Sequence, residues 1–170
     1  MKNGKVIGVV FIVLVLLMLI SCTPYGHAEE FKYDFRMFLW GVPEQTVQDN
    51  EPATFYLRWH DQHKRFVVSF QSQETIGDVS VPCLIDYIFD ARNRLIEGQE
   101  LYLVTDSGQE ALVSYDLMKK RLQKRYDKEP QKKTNVYHEW ELRRTKVTLS
   151  LWEDSNWLFV SVHYKYNATK

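Results

Sequence analysis

Short stretches of strict apolar/polar alternation and one long stretch of helical spacing together predict an α+β domain, with antiparallel sheet packed against one short and one long helix. The chain has 170 residues, 45% of them hydrophobic and 14% aromatic, which suffices for one core but not two. The apolar stretches fall in the order strand, short helix, four strands, long helix, three strands. That order suggests a pseudo-repeat of helix followed by antiparallel strands.

Phe31, Tyr33, Phe35, Met37 and Leu39 alternate with Lys32, Asp34 and Arg36, which predicts a half-buried first strand over residues 31–39. Trp40-Gly41 ends it, and Trp40 is expected to pack under the long helix. Pro43 suits the first turn of a short helix reaching about residue 50, because its missing N–H falls where no intrahelical partner exists. Residues 55–59 and 65–70 flank His60-Asp61-Gln62-His63-Lys64 as a hairpin with a polar tip. Residues 71–82, with Gly77 and Pro82, predict a loop or weak edge strand. Residues 83–90 and 95–104 make the clearest hairpin, turned by Ala91-Arg92-Asn93 and apolar enough for central strands.

Ser107-Gly108-Gln109-Glu110 is a capping box, in which the serine hydroxyl and the glutamate carboxylate satisfy orphan amide donors reciprocally. Ala111, Tyr115, Met118, Leu122 and Tyr126 then recur at helical spacing as one apolar stripe. Lys119, Lys120, Arg121, Lys124 and Arg125 fill the other positions, where the last of them complement the helix dipole, and Pro130 stops the helix. After a polar linker, residues 136–142, 146–152 and 157–166 alternate as an antiparallel meander with one wet face. Arg143-Arg144-Thr145 and Glu153-Asp154-Ser155-Asn156 are its turns.

The amino terminus has its own logic. Lys2 and Lys5 precede an almost unbroken apolar run over residues 6–20, too short and too abruptly ended for a comfortable membrane span, which reads as a signal segment. At its end, Leu19-Ile20-Ser21-Cys22 resembles the lipobox of bacterial lipoproteins: a branched aliphatic, a tolerated residue, a small residue, then cysteine. The resemblance implies diacylglyceryl transfer to the Cys22 thiol, cleavage between Ser21 and Cys22, and acylation of the new amino terminus. It also divides the chain into a signal peptide (1–21), a lipidated tether (22–30) and a single domain (31–170). The alternative is an ordinary secretory signal cleaved after Ala28, a site far from the end of the apolar run. Both readings export the protein. Thr23 stands where lipoproteins kept at the inner membrane of Gram-negative cells carry Asp, so the resemblance implies the outer membrane facing the periplasm in such a cell.

Removing the signal takes Lys+Arg from 22 to 20 while Asp+Glu stays at 22, leaving a formal charge of −2. Nucleic acid is therefore not an expected partner, as export also argues. With Cys22 lipidated, Cys83 has no intramolecular partner, and its place at the head of Cys83-Leu84-Ile85 suits a buried thiol acting as a small hydrophobe.

The domain also resembles a broad set of small secreted bacterial α+β domains, mostly uncharacterised, that open with Trp-Gly-x-Ser and a short Val-containing helix. Trp40-Gly41-Val42-Pro43 with Val47 matches that opening; Tyr87-Ile88-Phe89 with Leu95, then Tyr115, Leu122, Tyr126 and Pro130, then Trp140, match the later pattern. Pro43 departs from the family where Ser or Thr would cap the helix, and Asp127-Lys128-Glu129-Pro130 replaces Gly-x-Pro at the helix exit. The resemblance implies a fold and an envelope location, and it transfers no catalytic residue. Outer-membrane assembly lipoproteins and β-lactamase-inhibitor-like domains are similar in architecture alone.

His60, Asp61 and His63 form the one cluster with metal-ligand residue types, but a catalytic zinc site wants three ligands and a structural one four, and a solvated hairpin tip is the simpler reading. No Gly-x-Ser-x-Gly pattern frames a serine nucleophile. Neither catalytic residue, metal nor cofactor is assigned on this basis. The cationic side of the long helix could touch anionic lipid, though such a run is usually a solvated face. Trp152 and Trp157 flank a polar turn and are candidate interaction residues, since exposed aromatic pairs mark interfaces. The expected function is a membrane-tethered protein-binding or accessory module with an envelope protein as partner. The alternative is a small envelope hydrolase or metal-dependent enzyme using the His60/Asp61/His63 turn.

Overall fold

The computed structural model describes residues 34–104, 108–154 and 157–168. The expected signal segment with Leu19, Ser21 and Cys22, the expected tether, Phe31 to Tyr33, Ser107 of the expected capping box and Ser155-Asn156 of the last turn lie outside the described residues. The chain runs through helix α1 (Glu44–Asn50), strands β1 (Thr54–His60), β2 (Phe66–Ile76), β3 (Val79–Phe89) and β4 (Leu95–Val104), and then helix α2 (Gly108–Tyr126). Strands β5 (Lys132–Lys133), β6 (Tyr137–Glu141), β7 (Thr145–Asp154) and β8 (Trp157–Tyr166) follow. All eight strands join one sheet in the order β1-β2-β3-β4-β8-β7-β6-β5, with every neighbouring pair antiparallel. The protein is thus a mixed α+β domain in which, among the described residues, each helix precedes four strands, and the last strands of the two sets, β4 and β8, pair at the centre.

Cross-strand partners share a face of a sheet, so the registers sort the side chains. One face carries Val68, Tyr87, Gly98, Tyr164, Val147 and Trp140 in one row and Ile85, Val162 and Leu149 in the next. All of these are buried, and all but Gly98 belong to one hydrophobic cluster that also takes in Val47 of α1 and Ala111, Tyr115, Met118 and Leu122 of α2. The α2 stripe is the one its spacing predicts, and the Tyr115 hydroxyl lies 2.6 Å from His138 Nδ1 on β6. Cys83 is buried in the same cluster, where burial pushes its thiol far above the usual range. The opposite face carries Trp59, Val67, Ile88 and Glu97 in one row and Ser69, Asp86, Gln99, His163, Thr148 and Glu139 in the next.

The expected first strand is a correction. Over residues 34–40 the chain makes a tight turn in which Phe35 and Phe38 exchange backbone hydrogen bonds at 3.1 and 2.9 Å. Arg36 sits at φ +49°, and the Asp34 carboxylate accepts from the Trp40 amide at 2.8 Å. Phe35, Phe38 and Trp40 are therefore buried while Met37 and Leu39, which alternation places on the side of Phe35, are exposed. The local hydrogen bonds of this segment close on themselves, so its period of two does not build a ladder. Gly98 on β4 makes room for this turn, since a Cβ added there would meet Phe35 Cδ1 at 2.2 Å. Trp40 is buried in the cluster that also takes in the long helix, its indole N–H donating to the Thr145 hydroxyl at 2.9 Å and its ring near Phe35 and Tyr166.

Residues 71–82 are the second correction. They are the paired ends of β2 and β3, closed by Gly77-Asp78. Gly77 at φ +62° takes the first central position of a two-residue hairpin turn, where a positive φ matches the twist of the strands. Pro82 is tolerated because the β3–β4 ladder begins only at Cys83, so β3 is paired on one side there. The polar linker likewise contains β5, which pairs Lys132 with Glu139 and Lys133 with His138. Pro43 occupies the helix N-cap without a side-chain cap, and Asp127 at φ +45° takes the left-handed position after α2 that glycine usually fills.

Candidate functional site

The β1–β2 hairpin and the open-face side chains of β3, β4 and β8 enclose a cleft of about 410 Å³, lined by Trp59, Asp61, Gln62, His63, Arg65, Asp86, Glu97, Gln99 and His163 among others. The turn is built by Asp61, whose Oδ1 accepts the backbone N–H of His63 at 2.8 Å and of Arg65 at 2.9 Å, with Lys64 at φ +58°. This is how Asp and Asn side chains stabilise turns locally. The same geometry aims Arg65 across the sheet, its Nε 2.7 Å from Asp61 Oδ2 and its Nη1 2.8 Å from Glu97 Oε1.

Glu97 is the most heavily committed group of the cleft. Besides Arg65 it meets Lys165 Nζ at 3.2 Å and His163 Nε2 at 3.3 Å, with its side chain only 6% exposed. Burial alone would raise its pKa, but the hydrogen bonds from His163, Arg65 and Lys165 and the Arg65 charge bring it down to about 2. Further along the same face Glu139 repeats the arrangement, with Tyr137 donating at 2.6 Å, Lys146 at 2.7 Å and Lys132 at 3.2 Å, and it too is held at about 2 against the opposing effect of burial.

Asp86 behaves differently. It lies on β3 between Ser69 and Gln99, and Ser69 donates to its Oδ1 at 2.5 Å. Gln99 turns its amide away to Ser161 at 3.0 Å. Among the described residues no cation pairs with Asp86, and burial raises its pKa while the Ser69 bond opposes the rise. Ser69 in turn accepts the Trp59 indole N–H at 3.0 Å, so a chain of two hydrogen bonds locks the half-exposed Trp59 ring beside this carboxylate.

The structure divides the His60/Asp61/His63 cluster. His60 pairs with Phe66 on the buried-face side and its ring lies 4.3 Å from the Phe66 ring, whereas Asp61 and His63 line the cleft. Asp61 spends both oxygens on the turn and Arg65, and among the described residues no group of three or more His, Cys, Asp or Glu is placed to hold a metal ion. Trp152 and Trp157 are both exposed and both on the open face, Trp152 stacked on Phe159 at 4.8 Å. Of the cationic helix residues, Lys119 is tied to Asp116 and Arg121 reaches the Thr75 carbonyl. Sequence reasoning missed Trp59, Arg65, Asp86 and Glu97. The available signal was a carboxylate set between apolar residues in Leu84-Ile85-Asp86-Tyr87-Ile88, at a strand position that strict burial would fill with a hydrophobe. No protein-family model, curated protein or solved structure matches this chain.

Proposed function

We propose that the protein is an exported, lipid-anchored binding or accessory module of the cell envelope, in which the two helices cover one face of the sheet and the other face receives a protein partner. The observation that carries this reading is the placement of Trp59, Trp152 and Trp157: all three are on the open face, and each is 38% to 50% exposed. Half-exposed tryptophans on one face are the composition of an interface, since an indole contributes large apolar area at little entropic cost and keeps a donor for the partner. Between them several charges are paired within the domain, as at Arg65–Glu97 and Lys146–Glu139, so a partner would meet a patterned surface. Anchoring rests on the lipobox resemblance at Cys22.

A photo-activatable residue at Gln99 or Thr148, introduced into the full-length chain in cells, tests the partner. A single envelope protein should be captured by the parent chain and lost in the Trp59→Ala/Trp152→Ala/Trp157→Ala variant. Recovery only as a free monomer under all conditions would overturn the reading. The anchor is tested separately: Cys22→Ala should abolish incorporation of labelled fatty acid, and a native protein found soluble with Glu29 as its first residue would remove the anchor.

A further inference from the structure

We infer that the cleft between the β1–β2 hairpin and β4 is a receptor for a single organic cation, an alkyl guanidinium or ammonium, with Asp86 as its counter-ion and the Trp59 ring as its wall. Three carboxylates line this cleft, and the structure treats them unequally. Asp61 is consumed by Arg65 and by two backbone amides, and Glu97 by Arg65, Lys165 and His163. Of the three, Asp86 faces the cleft with no cation paired to it among the described residues, holding one hydroxyl on one oxygen. Among the described residues Arg65 and Lys165 are paired with Asp61 and Glu97, which leaves no lysine or arginine paired with Asp86 in the cleft.

The second wall is prepared for the same ligand. Trp59 lines the cleft with its indole N–H already bound to Ser69, which holds the ring in place and leaves the ring rather than the donor to meet a ligand. A fixed indole face beside an unpaired carboxylate is the arrangement that holds a weakly hydrated organic cation, through the ring quadrupole on one side and a charge-assisted hydrogen bond on the other. A cleft of about 410 Å³ admits an arginine- or lysine-sized group with room to spare. The cation could be borne by a partner protein or be a free amine, and the chemistry of the site is common to both.

The test is titration of the full domain with Nα-acetyl-arginine amide, agmatine and Nα-acetyl-citrulline amide, followed by calorimetry and by the fluorescence of Trp59. The two guanidinium compounds should bind and the neutral citrulline should not. Tighter binding of the blocked arginine assigns the cation to a protein, and tighter binding of agmatine to a free amine. Asp86→Asn keeps the acceptor for Ser69 and removes the charge, and should weaken binding about 10- to 100-fold. Trp59→Leu, at an exposed position on the edge strand, should weaken it less and abolish the fluorescence response. Citrulline binding as tightly as arginine, unchanged affinity in Asp86→Asn with its native fold verified by circular dichroism, or no binding by either guanidinium would each overturn the proposal.

Discussion

Two arginines, one on each face of the same sheet, gather carboxylates to opposite ends. Arg36 enters from the tight turn on the buried side and meets Glu51 at 3.4 Å, Glu74 at 3.3 Å and Glu100 at 2.9 Å, with Tyr87 donating to Glu51 as well. Arg65 on the open side meets Asp61 and Glu97, and among the described residues the third acid, Asp86, pairs with no cation. The buried cluster joins segments far apart in the chain, the turn, the end of α1, β2 and β4, and its role is to hold them. The open cluster joins a hairpin to one strand and holds a cleft in shape. An arginine surrounded by acids is thus structural or site-forming according to whether any acid is left over.

Breaking the buried cluster should have the largest effect. Arg36→Met leaves carboxylates facing one another in a largely buried site, and removing one partner of a buried cluster costs about 3 to 5 kcal/mol. The thermal midpoint should fall by roughly 10 °C, and a fall within a degree or two would show that the turn is not latched by this residue.

Acid should reach the open cluster next. The folded-state pKa of Glu97 is depressed, to about 2 from 4.5, so its contribution is complete above the unfolded value and disappears as pH falls from 4.5 through about 2. The shift corresponds to on the order of 3 kcal/mol at neutral pH. Denaturant midpoints measured from pH 6 to pH 2 should therefore decline along an acid limb that flattens in Glu97→Gln, and an unaltered limb would mean that the Arg65–Glu97 pair does not stabilise the fold.

Two smaller changes separate packing from charge. Gly98→Ala inserts a methyl group into the Phe35 ring and should cost about 1 to 3 kcal/mol, although it touches no charged residue. Chemical denaturation that detects no loss would mean the turn moves off β4 without penalty. Asp61→Ala removes two turn hydrogen bonds at an exposed tip and should cost about 1 kcal/mol or less, while releasing Arg65 to pair with Asp86. Guanidinium affinity should then fall more than stability does, and equal loss of both would argue that Asp61 acts only on the fold.

The elements that sequence alone determined are those whose signals are local. The α2 stripe from Ala111 to Leu122, the hairpin of β3 and β4 and the β7–β8 meander follow from spacing, because a helix or hairpin buries one face wherever it lies. Segments where a local turn competes with a ladder were decided by tertiary context. Phe35 and Phe38 turn inward because Gly98 leaves space for a ring, and residues 71–82 pair because Gly77 supplies a positive φ. Asp61 and His63 of the cleft are legible as a polar hairpin tip, but the assembly of the cleft belongs to the tertiary structure. Trp59, Ser69, Asp86 and Gln99 come from four strands and share a face only through register, which a chain read one residue at a time does not contain, since slipping any strand by one position would turn its members to the other side.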